Sequence, residues 1–185
     1  MIGRRMRVCR TDVLFHYFLD GDASALARVL SDGLRPLSWF FDSEKWQAIE
    51  RAAPGVFEEL YDELARPVVQ RDYVHSGIFL TPIDFRPMAS FALAAAPRFA
   101  VPVERLDPVA ASLTYIRDDR RECLPLTPGS LERAADLWTE DEVRTWFAKR
   151  TDRMFWYVPQ VAYYPPQPLM VSEADFEPTA PASAC

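Results

Sequence analysis

Glycine is scarce in this 185-residue chain, with six copies; asparagine is absent, and only two histidines and three cysteines occur. So few glycines argue against a fold built on glycine-rich phosphate loops. Neither GxGxxG nor GxxxxGKS/T is present, which removes the two commonest nucleotide motifs. Cys9, Cys123 and Cys185 show no CxxC or Cys/His spacing, so neither a structural zinc site nor a disulfide framework is expected, and a reducing cytoplasm is the expected compartment. Long hydrophobic runs are also missing. The longest nearly apolar stretch, Met88 to Ala96, has nine residues and cannot cross about 30 Å of hydrocarbon. No apolar segment follows the arginines of Met1 to Arg10, so no secretory signal is read there. Cys185 is not fourth from the end, so no prenylation is read either. The net charge of −6 disfavours tight, non-specific binding to a long polyanion.

The chain is otherwise well supplied for a core: 49% of residues are hydrophobic, with twelve phenylalanines, seven tyrosines and five tryptophans. Basic residues are almost all arginine, a bias read mainly as that of GC-rich coding, although arginine is also the better planar partner for phosphate. The length fits one domain. We expect a basic arm over residues 1–11, one α+β domain over 12–172, and a flexible acidic, proline-containing tail over 173–185.

Local patterns give the element order. Val13 to Leu19 is a short aromatic and β-branched run, expected as a buried strand. Leu26, Val29 and Leu30 then repeat at helical spacing over Ser24–Asp32, and Gly33 stands where a left-handed C-cap belongs. Leu37 to Phe41 reads as a strand or extended loop. Helices are expected over Glu44–Ala52 and from Pro54 to Ala65. Gly77 to Thr81 reads as a strand, and Pro87 as the first turn of a helix to Ala96. Strands are expected over Phe99–Val103 and Val109–Ile116, and helices over Ser130–Trp138 and from a capping box at Thr139–Glu142. Arg117, Arg120 and Arg121, diluted by Asp118 and Asp119, read as a solvated loop. Met154 to Tyr164 reads as a strand with an edge or bulge at Pro159.

Of the groups that carry chemistry, histidine suits acid–base work near neutral pH best. His75 lies in a polar loop. His16 is a titratable ring within an apolar strand, and reads either as a core histidine bonded to backbone or as a ring facing a cleft. Ser90 or Thr114 with His16 makes a triad only on paper, since no GxSxG elbow exists. Cys123 reads as inert core, and Asp118-Asp119 resembles metal ligands by composition alone. Trp39, Trp46, Trp138, Trp146 and Trp156 invite a base-stacking reading, but three of them sit on expected helices beside apolar partners and read as packing.

One order of motifs stands out. A strand carrying His16 is followed by a helix ending in Gly33-Leu34, then by Gly77-Ile78-Phe79-Leu80-Thr81 and a proline-started helix, and last by Val158-Pro159-Gln160 through Leu169. Over about residues 12–172 this succession resembles the ADP-ribosyltransferase superfamily, including its DNA-modifying toxins and the tRNA 2′-phosphotransferases. The resemblance implies an α+β fold with a split, mixed β-sheet flanked by helices, and a cleft binding NAD, from which ADP-ribose passes to a macromolecular acceptor, nucleic acid or protein. It implies a ribose contact for His16 and a nicotinamide stack for Phe79 or Tyr73. Polar or pyrophosphate contacts are implied for Thr81, Arg86 and Arg35. Two positions depart from the pattern. Phe18 stands where Thr or Ser is common, and Gln160 stands where the catalytic glutamate belongs. An amide can bond a ribose hydroxyl but carries no charge. Either a carboxylate such as Asp152 or Glu173 substitutes, the chemistry differs, or the protein is a non-catalytic binding or interaction module that docks a partner protein.

Overall fold

The computed structural model describes residues 7–18, 23–35, 51, 77–88, 91–117, 120–149 and 158–179. The expected elements at Leu37–Phe41, Glu44–Ala52 and Pro54–Ala65 lie outside that set, apart from the helical Arg51. The described elements are β1 (Val13–Tyr17), α1 (Ala23–Asp32), β2 (Ile78–Leu80), α2 (Ala92–Ala95), β3 (Arg98–Pro102), β4 (Ala111–Arg117), β5 (Arg120–Pro125), α3 (Pro128–Leu137), α4 (Glu140–Lys149), β6 (Gln160–Tyr163) and β7 (Phe176–Glu177).

The strands form two sheets, ordered β1-β3-β7 and β2-β6-β4-β5. Every pairing among the described strands is antiparallel, so the expected α+β class holds, and the described residues contain no parallel pair of the expected mixed sheet. One reciprocal backbone pair joins the sheets: Phe15 N–H donates to Thr81 O at 2.8 Å and Thr81 N–H to Phe15 O at 2.9 Å. The core runs through both sheets, from Leu14, Phe99 and Val101 to Leu80, Leu113 and Val161. Helix α3 adds Leu131, Ala134 and Ala135, and α4 adds Val143.

Several local signals act as the sequence suggests. Gly33 has φ +80, and its N–H closes α1 on Val29 O at 2.9 Å. A Cβ there would sit 2.9 Å from Leu169 O, because Leu34 and Leu169 pair immediately beyond. Thr127 caps α3 through a reciprocal box with Ser130, so the helix starts at Pro128, ahead of the expected Ser130. Thr139 Oγ1 accepts from Glu142 N–H at the start of α4.

Other expectations are corrected. Pro87 lies in a turn, and the helix after it is the single turn α2. Of the arginines expected in a solvated loop, Arg117 ends β4 and pairs with Arg120, which opens β5 with Arg121. Strand β6 is internal to its sheet and begins after Pro159, so the proline marks neither an edge nor a bulge. The arm and the tail are both tied down over their described parts. Val8 and Cys9 are buried, with Arg10 N–H on Pro82 O and Asp84 N–H on Val8 O, both at 2.7 Å. Residues 173–175 form a 3-10 turn that leads into β7, paired with β3.

A buried guanidinium locks that last strand. Arg98 donates from Nε to Glu177 at 2.7 Å, and from Nη1 to Asp84 at 2.6 Å and to the Tyr17 hydroxyl at 3.0 Å. Its plane lies 3.8 Å from the Phe15 ring centroid. Burial alone would lower the Arg98 pKa, but the contacts with Asp84, Tyr17 and Glu177 outweigh it and hold the group charged.

Two stability changes follow. Gly33→Ala should cost about 1–3 kcal/mol in urea unfolding, since the left-handed backbone and the Leu169 carbonyl both resist a Cβ. Arg98→Ala should cost about 3 kcal/mol or more, because two carboxylates lose their shared counter-charge.

Candidate functional site

The seam between the sheets opens into a cleft. Beyond the Phe15–Thr81 backbone pair, β1 and β2 do not continue as partners; the His16 side chain meets the Phe79 carbonyl, Nδ1 to O, at 2.9 Å. A ring thereby takes the place of the next backbone rung. The cleft holds about 250 Å³ and is lined by Phe15, His16 and Tyr17 from β1 and by Phe79, Leu80 and Thr81 from β2. Phe85, Leu93, Val158 and Gln160 complete the wall. That volume is below the roughly 300–1,000 Å³ of clefts that enclose a whole drug-sized ligand, so it has room for a group of about one ring.

His16 is half-buried, and burial pushes its pKa below the ordinary 6.5 against the opposing pull of the Phe79 carbonyl. At neutral pH the ring is therefore uncharged. Its Nδ1–H donates to Phe79 O, which leaves Nε2 as an acceptor with no hydrogen bond among the described residues. Gln160, the first residue of β6 and half-buried opposite Thr114 in the register, likewise has no side-chain hydrogen bond among the described residues. An acceptor ring and a two-way amide thus share a mainly apolar cavity. Such a pair can orient a ligand that carries hydroxyl donors beside a flat ring.

The structure brings four of the expected site residues together: His16, Phe79, Thr81 and Gln160. Thr81 is there for a different reason from the expected polar contact. Its hydroxyl donates to Pro159 O at 2.8 Å and accepts from Ile83 N–H at 3.1 Å, which fixes the end of β2 against the entry to β6. Arg86 and Arg35 lie outside the cleft lining. Arg86 pairs with Glu177 at 3.0 Å and donates to Pro178 O at 2.8 Å, while the exposed Arg35 pairs with Asp32 at 3.2 Å. Neither lines the cleft, because each finds a nearer oxygen along its own surface. Tyr73 lies outside the described residues, as do His75, Ser90, Asp118, Asp119 and Asp152. Glu173 is exposed on its 3-10 turn, away from the cleft lining. Phe18 packs edge-on against Phe99, with centroids 6.3 Å apart.

Sequence reasoning missed Tyr17 and Arg98. The Tyr17 hydroxyl donates to Ile83 O at 3.2 Å and accepts from Phe85 N–H at 2.9 Å and from Arg98, so the cleft wall is tied to the β7 lock. Desolvation raises the Tyr17 pKa, keeping the phenol a donor. Adjacency in the alternating strand was the one available signal, since residue 17 follows His16 in the same run. Cys9 is buried, and desolvation pushes its thiol up to about 12, so it is inert. Cys123 is exposed on β5, contrary to the expected core placement. Trp138 is core, stacked edge-on to Tyr115 and Trp146 at 6.3 and 5.8 Å; Trp39, Trp46 and Trp156 lie outside the described residues. Among the described residues no His/Cys/Asp/Glu cluster could hold a metal ion, and no helix is long and apolar enough to cross a membrane.

The lowered His16 pKa has a measurable consequence. The unfolded chain takes up this proton first as pH falls below 6.5, so stability contributed by the neutral ring is present above 6.5 and is lost below it. His16→Asn can still offer an N–H to Phe79 O. Urea unfolding from pH 7 to pH 5 should show a smaller loss of stability in that variant than in the wild type.

Compared with protein-family models, with curated proteins and with solved structures, the chain matches none.

Proposed function

We propose that this chain is an ADP-ribosyltransferase-like protein whose cleft holds the nicotinamide–ribose end of NAD and passes ADP-ribose to a macromolecular acceptor. One observation carries the reading. His16 from the first strand and Gln160 from the last strand of the second sheet meet on one small, mainly apolar cleft at the sheet seam. In this reading the flat nicotinamide ring lies against Phe79, and a ribose hydroxyl donates to His16 Nε2. A second hydroxyl donates to the Gln160 amide oxygen. The adenosine and phosphates extend outside, since no arginine or lysine lines the cleft among the described residues.

Breaking the nicotinamide–ribose bond leaves an oxocarbenium-like cation and a neutral leaving group. Aromatic walls exclude water from that cation, which limits hydrolysis and favours transfer to an acceptor. The Gln160 amide supplies a dipole where a carboxylate would supply a charge, so turnover is slow. That same residue favours a second reading, in which the domain binds NAD without cleaving it.

Nicotinamide release and NAD-dependent thermal shift decide these points together. Wild type should show the shift and slow release, and His16→Ala should lose the shift. Gln160→Glu should speed release by about 10²-fold, the scale of one well-placed electrostatic group in a transition state. A shift with no release from the wild type selects the binding module. Neither shift nor release overturns the proposal.

A further inference from the structure

Building on the nicotinamide-binding reading above, we propose that the cleft prefers the uncharged, reduced ring: NADH binds more tightly than NAD⁺ and, being uncleavable, restrains transfer, with Gln160 setting the preference. The two dinucleotides share the carboxamide and both ribose hydroxyls, so the contacts to His16 Nε2 and Gln160 are available to either. They differ by one positive charge on the ring.

The described lining holds no charge to meet it. No Asp or Glu lines the cleft among the described residues, and Gln160 is neutral at the position nearest in role to a carboxylate. The carboxylates of the neighbouring network, Asp84 and Glu177, already face Arg98 at 2.6 and 2.7 Å, so their charge is answered before it reaches the cavity. The environment that pushes His16 toward its neutral form penalises a pyridinium in the same way. Stacking on Phe79 attracts a cationic ring, but without a paired anion that attraction is smaller than the cost of taking the charge from water into an apolar cleft.

The restraint needs no bond made or broken. Cleaving NAD⁺ releases neutral nicotinamide, whereas cleaving NADH in the same way would expel a dihydropyridine anion, a far poorer leaving group. NADH in the cleft is therefore an occupant and not a substrate.

Calorimetric titration of the full chain with each dinucleotide at pH 7.5 tests the inference. Wild type should bind NADH roughly tenfold or more tightly than NAD⁺, and NADH should inhibit nicotinamide release competitively. Gln160→Glu should move the ratio toward NAD⁺ by about tenfold, while Gln160→Met, which stays neutral, should weaken both ligands and keep the NADH preference. Equal or tighter binding of NAD⁺ by the wild type overturns the inference and leaves the nicotinamide-binding reading standing, and so does an unchanged ratio in a Gln160→Glu chain that melts as the wild type does. Binding of neither dinucleotide overturns both.

Discussion

Among the described residues one reciprocal backbone pair, between Phe15 and Thr81, joins the two sheets at their seam above the core they share, and the cleft opens where that pairing stops. A backbone carbonyl left at such a parting must find a donor or meet water. The His16 ring supplies the donor for Phe79 O, which fixes the tautomer and leaves an acceptor nitrogen beside the opening. Structure and chemistry are thus set by one residue. The same contact that satisfies the backbone selects the kind of ligand the cavity can orient.

The walls of that opening are braced from outside. Thr81 ties β2 to Pro159, which places Gln160 at the head of β6, and Tyr17 ties β1 to the segment at Ile83 and Phe85. Arg98 then carries the Tyr17 contact to Asp84 and Glu177, so the carboxyl-terminal strand participates in holding the cleft wall. Buried charge of this kind is specific in geometry more than generous in stability, because desolvation offsets much of the attraction. It fixes which strand lies beside β3.

How much of this was legible in the sequence depends on the range of the interaction. His16 was visible because a titratable ring interrupts an apolar run, and Gly33 because a helix ended where only a left-handed residue fits. Gln160 was reached through the order of motifs, not through any local pattern. Arg98 was invisible: its carboxylates lie 14 and 79 positions away, and nothing near it in sequence announces a buried cation. The arm and tail misled for the same reason. Charged, proline-containing ends read as solvated until the partners that bury Val8, Cys9 and Asp175 are known. Strand β5 was hidden by charge, since an arginine-rich stretch reads as loop until its pairing with β4 is known.

The proposed binding of NAD depends on His16 Nε2 receiving a ribose hydroxyl. Imidazole nitrogen NMR of the full chain at neutral pH reads it directly. The expected result is a neutral ring protonated at Nδ1, with the Nε2 resonance shifting on addition of NAD as a hydrogen bond forms there. A ring protonated at Nε2, or an Nε2 resonance unmoved by saturating NAD, would contradict it.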